Sequence, residues 1–103
     1  MTTTAHAKLT TVATFPEHFF LENLAVRADN SVLITALNHK QLWYVPTRDT
    51  KLTKPVLLHT FDQLTLSLTE VEPDVFYLCT SNAYTDHKSS LHRVDLRKWR
   101  TGD

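Results

Sequence analysis

The 103-residue chain is large enough for one domain with its own core and too short for two. Lysine plus arginine balance aspartate plus glutamate at 11 each, so no net field steers the protein onto nucleic acid or an anionic membrane. A single cysteine, Cys79, excludes an intrachain disulfide and, lying in the apolar run Val75–Cys79, is expected to be a buried, inert thiol.

Residues 1–14, "MTTTAHAKLTTVAT", have neither the apolar core of a signal peptide nor the arginine enrichment of a transit peptide. No stretch approaches the ~20 apolar residues of a membrane span. The protein is expected to be soluble and cytoplasmic, without nucleic-acid or membrane partners, and its first 14 residues are expected to be peripheral.

The stretch "ENLAVRADNSVLIT", residues 22–35, reads as a β-hairpin, with Asp29-Asn30 between two apolar runs and Asn30 able to adopt the left-handed conformation of a tight turn. Its unusual feature is a carboxylate and an amide, Glu22 and Asn23, at the head of an apolar strand. Asn38-His39-Lys40 then separates Val32-Leu33-Ile34 from Leu42-Trp43-Tyr44-Val45, and a polar loop over Pro46–Thr50 leads to a strand from Val56 to Phe61. The runs are short and rich in β-branched and aromatic residues, as strands are. Phe61, Leu64 and Leu68 have helical spacing, but interspersed threonines and a missing cap favour a strand. Apolar residues on both alternating faces imply sheets covered on both sides, and without an amphipathic helix the covering layers must be other sheets.

The chain also repeats itself. A shift of 43 lays Val32 on Val75 and Ile34 on Tyr77, and an offset of 49 lays Leu42 on Leu91 and Val45 on Val94, with six extra residues entering between Thr80 and Ser90. A repeat in the 40s built of four antiparallel strands is the mark of a β-propeller blade, whose neighbours cover both of its faces. The expected fold is therefore all-β: a partial β-propeller of two four-stranded antiparallel blades, about 19–61 and 64–96, with a solvated tail at 97–103 containing Arg97-Lys98-Trp99-Arg100. Propellers close with ~4–8 blades, so a fragment or truncated relative of a longer propeller is expected, the alternatives being self-association through exposed blade faces and rearrangement into a small twisted sheet. Phe76, Trp43 and Tyr44 would supply the sticky surface.

The segments "FPEHFFLENLAVRADNSVLITALNHKQLWYVPT", "EVEPDVFYLCTSNA" and "SLHRVDL" together resemble the opening blades of fungal six-bladed propellers of the SMP-30/gluconolactonase/LRE-like superfamily, over about residues 15–97. The resemblance implies a pocket on the propeller axis in which a divalent cation such as calcium is held by oxygen ligands from several blades. There Glu22 would be a metal ligand, and Asn23 and Asn82 would contact substrate. Hard cations favour such oxygens and polarise a lactone carbonyl or acidify water, so the complete form would be a metal-dependent lactone or ester hydrolase. Relatives that guide non-hydrolytic cyclisation in a fungal biosynthetic pathway would need the cavity alone. Within the chain, the second-copy counterpart of Glu22 falls on Leu64 or Thr65, so a carboxylate is not something a blade needs to fold. Ser67 stands where relatives commonly have glycine, and Pro46 where they have aspartate. With one such carboxylate against the six or more oxygens calcium takes, the isolated chain is expected to be inactive as a hydrolase. The alternative from a different class is a non-catalytic β-rich interaction module.

Other constellations are weaker. The histidines at 6, 18, 39, 59, 87 and 92 show no metal-ligand spacing, and zinc held by Asp86, His87 and His92 would lack fixed supporting bonds. Ser81, Ser89 and Ser90 stand outside any nucleophile elbow, and no glycine-rich phosphate loop is present.

Overall fold

The computed structural model describes residues 7–46 and 52–99. Positions 47–50 of the expected polar loop, and the tail beyond Trp99, lie outside the described residues. Within them the chain is all-β. One sheet takes β1 (Leu21–Val26), β2 (Val32–Ala36), β3 (Gln41–Val45) and β4 (Val56–Thr60) in chain order, and a second takes β5 (Leu64–Glu72), β6 (Val75–Ser81) and β7 (Ser89–Asp95). Every neighbouring pair is antiparallel. The expectation of four strands per sheet holds for the first sheet; among the described residues the second has three. The stretch with helical spacing at Phe61–Leu68 enters β5 at Leu64, where its backbone groups are satisfied by the ladder to β6.

Local chemistry sets the turns. Between β1 and β2 the amide of Asn30 donates to the Arg27 carbonyl (2.9 Å) and that of Arg27 to the Ser31 carbonyl (2.8 Å), with Asn30 at φ 71°. This is a three-residue hairpin loop closing on a left-handed residue, a position asparagine tolerates well. Asp29 Oδ1 accepts the Ser31 amide at 2.9 Å and fixes the loop from within. Between β5 and β6 the left-handed residue is Asp74, at φ 61°.

Asn30 and Asp74 are 44 positions apart, and the strands that precede them carry the same irregularity. β1 slips register between Leu21 and Asn23, and β5 slips between Thr65 and Leu68. Aligned on turn and bulge, Val32 corresponds to Phe76 and Ile34 to Leu78, so the sequence repeat of 43 is one residue short. The third strands do follow the offset of 49, since Leu33 pairs with Tyr44 and Tyr77 with Arg93. Five extra residues, not six, enter the second copy. The distinction matters because a slip of one residue exchanges the two faces of a strand.

Between the sheets lies the core: Leu33, Leu42 and Tyr44 from the first, Leu68, Phe76 and Leu78 from the second, and Leu96 beyond β7. The sheets therefore meet through unlike faces of the repeat. The counterparts of Leu33 and Leu42, which are 0% and 1% exposed, are Tyr77 and Leu91, which are 40% and 62% exposed on the far side of the second sheet. β5 lies beside β1 and across β2. There Thr35 Oγ1 donates to the Leu66 carbonyl (2.9 Å), and Thr65 Oγ1 reaches the carbonyls of Ala36 (3.0 Å) and Gln41 (3.2 Å).

Arg27 locks the opposite end of the interface. Its side chain, 5% exposed, places Nε 3.1 Å from Asp74 Oδ1 and Nη2 3.3 Å from Oδ2, with the Leu96 carbonyl at 3.4 Å. Burial works against the guanidinium charge, but the paired hydrogen bond and the charge of Asp74 outweigh it and hold the Arg27 pKa above its ordinary value. The guanidinium also lies over the rings of Tyr44 (5.7 Å) and Trp99 (5.8 Å), which meet edge to face at 4.6 Å. Trp99 thus packs onto the core, which corrects the expectation of a wholly solvated tail. Arg97 in the same segment pairs with Asp95 (2.7 Å).

The covering of the outer faces also differs from expectation. On the first sheet the layer over Trp43 is the N-terminal segment, whose Phe15 and Phe19 rings stand edge-on to the indole at 5.5 and 6.0 Å. Cys79 is half-buried on the outer face of the second sheet, opposite Leu91, rather than deep in the core.

Asp74→Asn, which keeps the left-handed turn but leaves the buried guanidinium without its hydrogen-bonded counter-charge, is expected to destabilise the fold by about 3 kcal/mol in chemical denaturation, and more than Arg27→Met does. Equal effects would mean the pair contributes packing alone. On the acid side, hydrogen bonds from the Ser31 hydroxyl and amide hold the Asp29 pKa below its ordinary 3.8. A depressed folded-state pKa gives stability that is present above 3.8 and lost as pH falls through the folded value. Asp29→Asn is therefore expected to flatten the pH dependence of unfolding below that point.

Candidate functional site

Glu22 and Asn23 stand at the head of β1 because that is where its ladder slips. Asn23 Oδ1 accepts the Leu24 amide (2.7 Å), and the Asn23 amide donates to Thr35 Oγ1 (3.1 Å). The asparagine thus satisfies backbone groups that the bulge takes out of register. Glu22 is exposed, and with Asn23 it borders a shallow recess of about 260 Å³ whose other walls are Leu21, Leu24 and Ile34. This donor set does not fit a hard cation. One carboxylate stands among apolar side chains, and the neighbouring amide oxygen is engaged by Leu24. Among the described residues no three His, Cys, Asp or Glu side chains come together as metal ligands.

Asn82 lines a different recess. At the end of the second sheet a cleft of about 400 Å³ is bordered by His59, Phe61, Gln63, Thr80, Asn82, Ser90 and His92, among others. The structure therefore places Glu22 and Asn23 in one hollow and Asn82 in another. The backbone of Asn82 organises the loop that follows. Its amide donates to the Lys88 carbonyl (2.8 Å), and its carbonyl accepts the amides of Thr85 and His87 (both 3.0 Å).

The cleft is built where the β4–β5 connection crosses the ends of β6 and β7. Phe61 stands between two imidazoles, 4.5 Å from His59 and 4.9 Å from His92 by ring centroids. Beneath them runs a chain of hydrogen bonds whose direction is fixed. The Lys88 carbonyl can only accept, so Gln63 turns its Nε2 toward it (3.1 Å) and its Oε1 toward Thr80. The single hydroxyl proton of Thr80, a residue 1% exposed, goes to that Oε1 at 2.6 Å. His92 Nε2, 3.0 Å from Thr80 Oγ1, must then be the donor. A neutral His92 consequently carries its proton on Nε2 and presents Nδ1 as an acceptor. Such a cleft, with rings meeting edge-on and tilted and with an imidazole, an amide and a hydroxyl residue on its walls, has the groups that orient a small polar ligand.

Sequence reasoning found no ligand spacing among the histidines and missed this cluster. His59 and His92 lie in different sheets, and no spacing rule connects them. Asp86 Oδ1 instead accepts the Lys88 amide (3.0 Å), a turn-closing role. Ser89 and Ser81 bond one another across β6 and β7 (3.1 Å). Among the described residues no helix is long and apolar enough to cross a membrane.

Comparison with protein-family models, with curated proteins and with solved structures finds no match for this chain.

Nitrogen-15 spectra of the imidazoles near neutral pH are expected to show His92 in the Nε2–H form. Thr80→Val should erase that preference and destabilise the fold by about 1–3 kcal/mol, because it strands Gln63 and His92 without their shared partner. An Nδ1–H tautomer in the wild type would contradict the assigned direction of the chain.

Proposed function

We propose that the chain is a pair of propeller-type blades, akin to the SMP-30/gluconolactonase/LRE-like superfamily, that binds a small lactone or hydroxy acid in the His59–Phe61–His92 cleft without hydrolysing it. The blade reading is supported by the repeat: two meanders 44 positions apart in turn and bulge, packed through unlike faces, as successive blades of a radial array are. The binding reading is carried by the directed hydrogen-bond chain that fixes the ring of His92 and leaves its Nδ1 an acceptor, beside a cleft that His92 lines with Asn82 and Ser90. A hydroxy acid or lactone alcohol offers the matching donor, and the ring faces suit the carbon skeleton of such a molecule.

Metal-dependent hydrolysis belongs, in this reading, to a longer array. There Glu22 would be one oxygen donor among several contributed by other blades, and those are the groups that would let a cation polarise a carbonyl. With Glu22 alone the chain holds and orients, which is also what guided, non-hydrolytic cyclisation would require of a cavity.

A calorimetric titration with calcium is expected to give no binding heat, and Glu22→Ala no change. Titration with gluconolactone and gluconate is expected to shift the His92 ring and Asn82 resonances saturably, with the response lost in His92→Ala. Calcium-dependent lactone hydrolysis abolished by Glu22→Ala would overturn this assignment, as would the absence of any ring shift at millimolar ligand.

A further inference from the structure

We infer that the chain associates head to tail with a second copy of itself, the outer face of the second sheet in one copy seating on the outer face of the first sheet in the next. This inference rests on the structural repeat and is independent of what the cleft binds.

The interface within the chain supplies the template. It joins the Leu33/Leu42 face of the first meander to the Phe76/Leu78 face of the second. By turn and bulge, the counterpart of the former is the Tyr77/Leu91 face, and the counterpart of the latter is the Val32/Ile34 face. The first of these faces is open at Tyr77 and Leu91, and the second is open along its β1 and β4 margins, with Val32 and Ile34 half-buried between them. Tyr77 and Leu91 are exposed on the first, while Leu24 and Val26, at 56% and 52% exposure, extend the second along β1. One free face is thus of the type that the other already accepts inside the chain. The N-terminal segment covers Trp43 through Phe15 and Phe19 and leaves Leu24 and Val26 exposed.

Charge agrees with this pairing. The internal interface closes on the ion pair Arg27–Asp74, and the corresponding positions at the external one are Val71 and Asn30, both neutral. Docking therefore buries neither partner of a broken ion pair. Arg93, the counterpart of Tyr44, shares Asp95 (3.5 Å) and Glu72 (3.7 Å) with Arg97, so the charges on this face balance within one cluster of two arginines and two carboxylates. Because the two surfaces differ, the contact is heterologous, and it propagates until a ring closes or a filament forms.

The test uses the whole chain and two variants on the open faces, Leu91→Glu and Leu24→Glu, both away from the core and so expected to keep the wild-type near-ultraviolet spectrum. Light scattering after size exclusion should give the wild type a mass well above 11.9 kDa and each variant alone the monomer mass. An equimolar mixture of the two variants should form one-to-one dimers, because each retains the face the other has lost. A wild type that stays monomeric at high micromolar concentration would overturn the inference. So would a mixture that stays monomeric, or a dimer that survives Leu24→Glu, which would mean like faces pair instead.

Discussion

Packing two sheets face to face demands that every backbone group displaced at their meeting line find a partner, and in this protein that line runs through two β-bulges. A bulge removes a residue from its ladder and leaves peptide groups facing the neighbouring sheet, where no water compensates them. Thr35 and Thr65, both fully buried, resolve this by sending their hydroxyls across the interface to carbonyls near the bulge of the other sheet. Among the described residues no buried side-chain nitrogen or oxygen lacks a partner. A valine at either position would fill the same volume and leave carbonyls orphaned, which makes these threonines determinants of how the sheets meet as well as filler.

With the bulges tied at one end, Arg27 and Asp74 fix the other, and together they set the rotation between the meanders. The apolar core lies between these two polar anchors, so hydrophobic burial supplies the driving force while the anchors select among ways of stacking two greasy sheets. The same rotation brings the β4–β5 connection across the ends of β6 and β7. It creates the cleft as a by-product: Phe61 is carried between His59 and His92, and Gln63 reaches Thr80. The cleft and the exposed outer-face residues are thus two consequences of one packing geometry.

Glu22 illustrates how a residue can stand out in sequence for a reason its surroundings do not complete. A carboxylate ahead of an apolar strand resembles a ligand of an axial cation, and the bulge at Leu21–Asn23 explains why polar residues are tolerated there. Ligation would need convergent oxygens, and its neighbours in the recess are leucines, an isoleucine and an asparagine already bound to the backbone. Asn82, by contrast, lies in a hollow with several other polar groups.

Local chemistry made much of the fold legible beforehand. Short runs of Val, Ile, Leu and aromatics specify strands, Asn30 and the Asn38–Lys40 stretch specify turns, and the recurrence of turn and strand specifies two like units. None of these features depends on partners distant in the chain. The register of the repeat, the pairing of Arg27 with Asp74 across 47 positions, the seating of Trp99 on Tyr44 and the meeting of His59 with His92 were decided only by tertiary structure. The physical reason is the two-residue period of a strand: composition fixes that a strand forms, but a bulge of one residue reverses which side chains face the neighbouring sheet, and only the packed pair of sheets determines which side is inward.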